Sequence, residues 1–286
     1  MKKFYAFFMM LAMVSTMGLF AREAEVPAFE EESSDNEWKP YIELSAQWNS
    51  KYMADGAVVN PYPTLNLDAY AELKGFHVDV WSAMDLNEYN RPDGGSYSYK
   101  NNREYRAEEI DYEIGYGYTF DKDVLGFSPL SLGIAWKYWQ YPRAYFSHDN
   151  PLDFTIALNN VLDEDSKFGL KFGATIRYEL EHYYWYGWLF STLSYQITDE
   201  LSASLTANLY YCHHDAANYK YGDNRSLFSV LQTVAKLNYA INEYVSVGCY
   251  VEGAWALDHD VRAGWKADWA SSEENFRAGT SLAFAF

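Results

Sequence analysis

The residue types of a hydrolytic triad stand side by side in this sequence, at Ser147, His148 and Asp149. In such a triad a histidine takes a proton from the serine while an aspartate orients the histidine, so the three side chains must converge in space. Consecutive residues of an extended segment point in different directions and do not meet in this way. We therefore predict no catalytic residues and no enzyme activity.

Histidine and aspartate also occur together in two short groups, His213-His214-Asp215 and Asp258-His259-Asp260. Imidazole and carboxylate groups are ordinary ligands of divalent metals, so the two groups could share a cation. Both lie in polar stretches between apolar segments, where solvated loop tips are the simpler interpretation. We predict no metal site and no cofactor.

Charged and polar residues elsewhere recur at every second position, interleaved with apolar residues, in about a dozen segments from residue 38 onward. The first of these segments contains Ile42, Glu43, Leu44, Ser45, Ala46, Gln47 and Trp48. This period of two indicates β-strands with one apolar and one polar face. Most of the segments have about 9–11 residues or more, which is the length that a tilted strand needs to cross a bilayer.

The number of strands decides which face meets water. About eight strands already enclose an interior that side chains just fill, and the diameter grows with the strand number. A ring of about twelve is too wide for an apolar core, so the apolar face must point outward into lipid, while closure satisfies the backbone hydrogen bonds. We predict an all-β fold, a transmembrane antiparallel up-and-down β-barrel of about twelve strands that is surrounded by outer-membrane lipid.

Aromatic residues near the segment ends agree with this orientation, because tyrosine and tryptophan gather at membrane interfaces. One predicted rim contains Trp48, Tyr138, Trp185, Tyr211 and Trp255. The other predicted rim contains Tyr118, Phe120, Tyr195, Tyr239, Phe284 and Phe286. The links alternate between short and long, as periplasmic turns and external loops do. No long stretch has helical spacing, and the link 54–61 is of intermediate length.

The first residues have the plan of a secretory signal peptide, with Lys2 and Lys3 before an apolar run that ends near Ala21. We assign residues 1–21 to this peptide, 22–37 to an acidic flexible leader and 38–286 to the barrel. The chain has 40 acidic and 22 basic residues, and this excess of negative charge argues against a nucleic-acid partner. Cys212 and Cys249 fall on opposite strand faces, so we expect two free thiols.

The polar face of the strands lines the predicted lumen. Acidic residues on early strands are candidates for selectivity, since rings of Asp and Glu favour cations: Asp68, Glu72, Asp79, Asp111 and Glu113. We expect three basic residues to face them: Lys137, Lys171 and Arg177. The aromatic candidates of the lumen are Tyr70, Trp81, Trp139, Trp188, Tyr210 and Tyr250. They either form a stacking surface for sugars or nucleosides, or narrow and brace the bore.

Four segments carry a family resemblance: SKYMADG (50–56), GFHVDVWSAMD (75–85), EIDYEIGYGY (109–118) and LGIAWKYWQYP (132–142). Their order and spacing over residues 50–158 resemble the TorF-type porins of Gram-negative bacteria. The resemblance implies an outer-membrane channel and names no cargo. The family tends to have arginine before the first-loop glycine, whereas Asp55 precedes Gly56 here. A role of that arginine in attracting anions is therefore not carried over.

The last segment, GTSLAFAF (279–286), resembles the terminal strands of outer-membrane barrels. That resemblance implies that the barrel-insertion machinery reads it as an address. We expect a monomeric porin of the outer membrane, a passive diffusion channel for small polar or cationic solutes. The alternative is a plugged structural or adhesive barrel whose external loops carry the function. An outer-membrane lipase or protease is a less favoured third hypothesis.

Overall fold

Alternating segments close into a ring in the computed structural model, which describes residues 39–86, 107–120, 128–142, 147–159, 166–267, 272 and 274–286. Within these residues twelve long strands pair antiparallel with their neighbours along the chain, and the first pairs with the last. The prediction of an all-β, up-and-down barrel is confirmed. The predicted signal peptide (1–21) and acidic leader (22–37) lie outside the described residues and stay predictions.

The twelve barrel strands are β1 (Tyr41–Asn49), β4 (Thr64–Leu73), β5 (Phe76–Asp85), β6 (Ala107–Phe120), β7 (Leu130–Tyr141), β9 (Pro151–Leu158), β10 (Phe168–Glu179), β11 (Tyr184–Gln196), β12 (Leu201–Cys212), β13 (Leu227–Ala240), β14 (Val245–Ala256) and β15 (Glu274–Ala285). Two short strands, β2 (Tyr52–Ala54) and β3 (Ala57–Asn60), pair only with each other. The short strand β8 (Ser147–Asp149) pairs with β7.

Two helices occur among the described residues, α1 (His214–Tyr221) and α2 (His259–Ala267). Both lie in links between strands, for which the sequence analysis predicted no regular structure. The helices have 8 and 9 residues, about two turns each, and this is too short for a helical period to stand out among polar residues. What holds each helix is a pair of apolar side chains that reach the barrel interior.

The two faces of the barrel wall differ sharply in exposure. On the outer face, Leu44, Ile114 and Val251 are 47%, 52% and 59% exposed. On the inner face, Lys137 and Glu252 are 5% and 2% exposed. A closed ring with an apolar outer belt and a polar interior is what hydrocarbon requires, and each of the twelve described strands pairs with a neighbour on both sides. The protein is an outer-membrane β-barrel.

Aromatic residues border the belt at both ends, as the sequence predicted. At the end where β1 begins and β15 finishes, the rings of Phe168 and Tyr195 lie 4.5 Å apart between centroids. At the other end, the rings of Trp185 and Tyr211 lie 5.8 Å apart. Such bands position a barrel across the two membrane interfaces.

Turn lengths orient the barrel in the membrane. Lys74 and Gly75 make a two-residue turn with φ angles of 50° and 85°, at the end where β1 begins. At this end the backbone N–H of Phe286 donates to the carbonyl of Ile42 at 2.9 Å, which fastens the C-terminus to β1. The helices and the β2–β3 hairpin lie at the opposite end. Because periplasmic turns are short in such barrels, the hairpin and helices face the cell exterior.

The two cysteines lie on opposite faces, as predicted. Cys212 is buried and Cys249 is exposed, and both are free thiols. Among the described residues, no helix is both long and apolar enough to cross a membrane.

Candidate functional site

The β2–β3 hairpin lies inside the external mouth of the barrel. Its two-residue turn, Asp55-Gly56, has φ angles of 47° and 80°, the left-handed values that a tight hairpin turn requires. A β-carbon on Gly56 would lie 2.9 Å from side-chain carbons of Val230 and Ala254, which face inward. Glycine is therefore required at this position for two reasons, its positive φ angle and its small size. The sequence predicted only an intermediate link here and gave no sign that it folds inward.

Apolar packing holds the hairpin in place. Met53 and Val58 are 2% and 1% exposed and belong to one buried cluster with inward-facing residues of four strands. The wall contributes Tyr184, Tyr186, Trp188, Tyr210, Cys212, Leu227, Val230 and Ala254. The helices add Ala216 and Ala217 from α1 and Val261 and Trp265 from α2. The hairpin and the two helices thus fill the β11–β14 side of the mouth.

Hydrogen bonds tie the hairpin to two other strands of the wall. On β15, Asn275 donates from its amide to the carbonyl of Gly56 at 2.9 Å. On β6, Asn60 donates to Glu108 at 3.0 Å, and the hydroxyl of Tyr52 donates to the carboxylate of Glu109. The hairpin is therefore anchored on both sides of the mouth, and it crosses the opening rather than lying along one wall.

The tip of the hairpin is joined to α1 by an ion pair between Asp55 and Lys220. Burial would raise the pKa of Asp55, but the charge and the hydrogen bond of Lys220 outweigh burial and hold this pKa below its ordinary value. The ammonium of Lys220 also lies 3.7 Å from the ring centroid of Tyr186. Asp55 is the residue at which this chain departs from the TorF-type pattern, and here it holds the hairpin to α1.

A small polar cavity of about 30 Å³ lies on the complementary arc of the wall, made by β5, β6, β7 and β10. It is lined by Asp79, Trp81, Asp111, Glu113, Lys137, Trp139 and Arg177. Strand register brings these residues together: Trp81, Asp111 and Trp139 are directly opposite one another on three neighbouring strands. Two residues further along each strand, the same three strands place Asp79 opposite Glu113 and Glu113 opposite Lys137. Five of the eight predicted charged residues meet here.

An ion-pair chain runs across the floor of the cavity. Glu113 lies 2.9 Å from the imidazole of His77 and 2.7 Å from the ammonium of Lys137. Lys137 is also 3.4 Å from Asp153, a residue that the sequence analysis left out although alternation places it inside. Asp153 accepts two hydrogen bonds of 2.6 Å from the guanidinium of Arg177. Such a bidentate pair is geometrically rigid.

Aromatic rings enclose Arg177. Its guanidinium carbon lies 4.5 Å from the ring centroid of Trp139 and 5.0 Å from that of Trp188. The same group donates to the hydroxyl of Tyr186 at 3.2 Å. Both basic groups of the cavity are therefore held by carboxylates and rings, so neither is available as a loose charge.

Three predicted charged residues lie away from the cavity. Glu72 accepts a hydrogen bond of 2.6 Å from Tyr70, nearer the periplasmic end. Asp68 is opposite Trp81 on the neighbouring strand but does not line the cavity. Lys171 faces inward six residues from Arg177 along β10, roughly 20 Å away. Lys171 therefore does not line the cavity, and the expectation that it faces the acids of the early strands stays a prediction.

The predicted lumen aromatics divide between two roles. Trp81 and Trp139 line the cavity. The other four contribute to the wall or the mouth, through contacts that occupy their hydroxyl groups or rings: Tyr70 stacks on His77, Trp188 packs on Tyr210, Tyr210 donates to Gln232, and Tyr250 donates to Asn49. Bracing thus accounts for these four aromatics.

His148 and Asp149, which suggested enzyme chemistry, have partners outside the tripeptide, whereas His213, His214 and Asp215, which suggested a metal site, lie together. His148 lies 3.3 Å from Glu181, and Asp149 accepts a hydrogen bond of 3.0 Å from Tyr141. His213 and His214 each approach the carboxylate of their neighbour Asp215, at 3.3 and 3.2 Å.

A second acidic group of the external loops contains Asp223, Asp258 and Asp260. The guanidinium of Arg225 reaches all three carboxylates, at 2.8, 3.6 and 2.7 Å. Because a cation already sits among these acids, the group is satisfied as an exposed ion-pair network.

Comparison with known proteins gives similarity of fold. No protein-family model matches the chain, and no curated protein matches it. Among solved structures, a KdgM porin has a TM-score of 0.48 at 9% identity, with 86% of this chain and 99% of that chain covered. A NanC porin has a TM-score of 0.47 at 10% identity, with 85% and 98% covered. The outer membrane protein Omp33 of Acinetobacter baumannii has a TM-score of 0.43 at 10% identity, with 87% and 98% covered.

Proposed function

We propose that this barrel is a porin-like diffusion channel that prefers small polar and cationic solutes. The observation that carries the proposal is the position of the charged cavity beside the hairpin. The hairpin and helices fill the mouth on the β11–β14 side with apolar groups. A solute that crosses the barrel would therefore pass the charged cavity on the wall of β5, β6, β7 and β10, beside the hydrogen bonds that join Tyr52 and Asn60 of the hairpin to β6.

The charges on that wall favour cations over anions. Lys137 and Arg177 are each bonded to carboxylates, Glu113 and Asp153, so their positive charge is compensated locally. Asp79 and Asp111 add two further acidic side chains to the same cavity. A cation 4 Å from one ionised carboxylate gains about 4 kcal/mol at an effective dielectric constant of about 20, and an anion is repelled by as much. Rings of acids have this effect in cation channels.

Planar-bilayer recording tests the proposal. With a potassium chloride gradient across the bilayer, we expect a reversal potential of the sign that indicates cation preference. Asp111→Asn should reduce this potential, whereas Glu200→Gln, which removes an exposed acid of a periplasmic turn, should leave it within the scatter of the wild type. Absence of ion current from correctly folded protein would contradict the channel function.

The apolar cluster at the mouth favours a second candidate, a plugged barrel with a structural or adhesive role. A hairpin that buries Met53 and Val58 against two helices is stable packing rather than loose contact. The two candidates differ in one measurement, the conductance before and after a short Gly-Ser linker replaces residues 52–60. A channel should conduct in both forms and conduct more without the hairpin. A plugged barrel should conduct only after the replacement.

We further propose that the chain is a TorF-type porin and that β15 is the strand read by the insertion machinery. The family proposal is supported by the four motif segments, which occupy the hairpin and strands β5, β6 and β7. The strand proposal is supported by the exposed aromatic side chains of Phe284 and Phe286 at the end of the belt. Removal of Phe286 should lower insertion in cells while refolding in detergent stays normal. Equal loss in both settings would indicate a purely structural role for Phe286.

A further inference from the structure

We infer that His213, His214 and Asp215 form a binding site for a divalent transition-metal ion such as zinc, at the external end of β12. The site lies where β12 joins α1, outside the charged cavity, so the inference goes beyond the proposed channel function and does not depend on it. Three features of the described residues support it: converging ligand atoms, an imidazole nitrogen without a hydrogen bond, and a backbone that holds the ligands in place.

The ligand atoms of the three side chains converge. Nδ1 of His213 lies 3.3 Å from one carboxylate oxygen of Asp215, and Nε2 of His214 lies 3.2 Å from the other. One ligand atom from each residue lies within 4.8 Å of the other two. Zinc bonds of about 2.0–2.2 Å place tetrahedral ligand atoms about 3.4 Å apart, so the two nitrogen–oxygen separations already fit. The side chains of His214 and Asp215 are 51% and 56% exposed, so an ion can reach the site from solvent.

A metal ion accounts for these contacts better than a local ion pair does. In an ion pair each imidazole would donate an N–H to Asp215. Nδ1 of His213 forms no hydrogen bond among the described residues, although it lies beside that carboxylate. In a neutral imidazole one ring nitrogen carries a lone pair, and a lone pair beside a carboxylate is favourable only when a cation lies between them. Imidazole nitrogen and carboxylate oxygen are both ligands of zinc.

The junction of β12 and α1 holds the ligands in place. The carbonyl of His213 accepts a hydrogen bond of 2.8 Å from the N–H of Ala217 in the first turn of α1. The ring of His213 stacks on that of Trp185 on β11, with 5.0 Å between centroids and 24° between planes. Its side chain forms no capping hydrogen bond with the helix, so the imidazole is not used as a cap. Ligands that are oriented before binding lose less freedom when the ion binds.

The donor set selects the class of metal. Imidazole suits zinc, copper and nickel, whereas magnesium and calcium prefer oxygen ligands. Neighbouring groups are engaged elsewhere. Arg225 pairs with Asp258 and Asp260 in the second acidic group of the external loops. The thiol of Cys212 contacts the hydroxyl of Ser229 at 3.6 Å. Three protein ligands then leave a further position on the ion for water.

Isothermal titration with zinc chloride tests the inference, on detergent-folded barrel that has no histidine tag and has been stripped with EDTA and desalted. We expect saturable binding of one zinc ion per barrel, which excess magnesium chloride does not displace. His214→Ala and Asp215→Asn should each weaken the affinity at least about tenfold, because loss of even an indirect ligand contact costs about 10–100-fold. His259→Ala is the matched control and should leave the affinity unchanged, because it removes an exposed histidine of α2 outside the site.

Hydrogen exchange locates the ion, since zinc should slow exchange in α1 and leave α2 unchanged. The shift between boiled and unboiled gel samples checks that each variant is folded. If a variant does not fold, the wild-type titration and exchange pattern decide the inference. Absence of saturable zinc binding would overturn it, and so would full affinity in His214→Ala, equal loss in His259→Ala, or protection of α2 instead of α1. Bilayer recordings on the same preparation test the channel separately, and zinc binding without ion current would remove the proposed function while supporting the site.

Discussion

The carboxylate of Asp55 at the hairpin tip forms an ion pair with the ammonium of Lys220 on α1. This pair links two segments that lie far apart in the sequence and that both stand at the external mouth. It adds a polar contact to a hairpin that is already held in place by apolar packing. The contribution of the pair can be measured separately from that packing, because neither residue belongs to the apolar cluster.

Lys220→Met should loosen the hairpin without unfolding the barrel. We expect faster hydrogen exchange in residues 52–60, with a local cost of about 1 kcal/mol for a partly exposed pair. Arg225→Met is the matched control, because Arg225 is exposed and pairs with Asp223, Asp258 and Asp260 rather than with a hairpin residue. If both variants accelerate exchange in the hairpin equally, the Asp55–Lys220 pair does not hold it.

Acid should release the same contact. The pKa of Asp55 is held below its ordinary value by Lys220, despite burial. A carboxyl with a lowered folded-state pKa contributes stability above its unfolded pKa of about 3.9, and this is lost as the pH falls through the folded value. Hairpin protection, corrected for intrinsic exchange, should stay constant from pH 7 to about 4 and fall below that. Asp55→Asn should show no such step, and a loss of protection between pH 7 and 5 would assign the release to another group.

Met53→Ala tests the apolar cluster. Met53 is 2% exposed, and truncation of a buried methionine costs about 2–5 kcal/mol through lost burial and the cavity that remains. Met84→Ala makes the same change on the outward face of β5 and should cost less than about 1 kcal/mol. Urea titrations of both variants in detergent give the two values. Equal costs would mean that the hairpin does not contribute to stability.

Strand faces were predictable from the sequence because the side-chain period of two is strict. Asp111 and Trp139 were assigned to the lumen by position alone, and register then makes them direct neighbours. Asp153 follows the same rule, since Leu152 and Phe154 point outward beside it, yet it was overlooked. The network around Arg177 could therefore have been found by applying alternation to every strand.

The hairpin could not have been predicted in the same way. Asp55-Gly56 is a recognisable hairpin turn, but alternation does not say whether a loop bends outward or into the mouth. That direction is set by contacts with Val230 and Ala254, which are about 175–200 positions away in the chain. The two helices could not be predicted from the sequence either, because each has too few apolar side chains to show a helical period.

Leu205→Arg and Ser204→Arg compare the two faces of one strand. Leu205 is opposite Leu193 and Ala235 on the outer face, near the centre of β12, and arginine there should cost about 2–4 kcal/mol. Ser204 faces the lumen opposite Lys236, so arginine there should cost at most about 1 kcal/mol from like-charge repulsion. Refolding into lipid vesicles with urea titration measures both. Equal tolerance would contradict the face assignment.

Arg177→Ala should be the most damaging single change in the charged cavity. It leaves Asp153 buried with Lys137 as its remaining cation at 3.4 Å, and loss of one partner of a buried pair costs about 3–5 kcal/mol. Arg177→Lys keeps the charge but loses the bidentate geometry and the planar contact with Trp139 and Trp188, so an intermediate cost is expected. Urea titration of the two variants measures their free energies of unfolding and so shows which change costs more. If Arg177→Lys were as stable as the wild type, charge alone would explain the contribution of Arg177 to stability, and the contacts with the aromatic rings would contribute nothing.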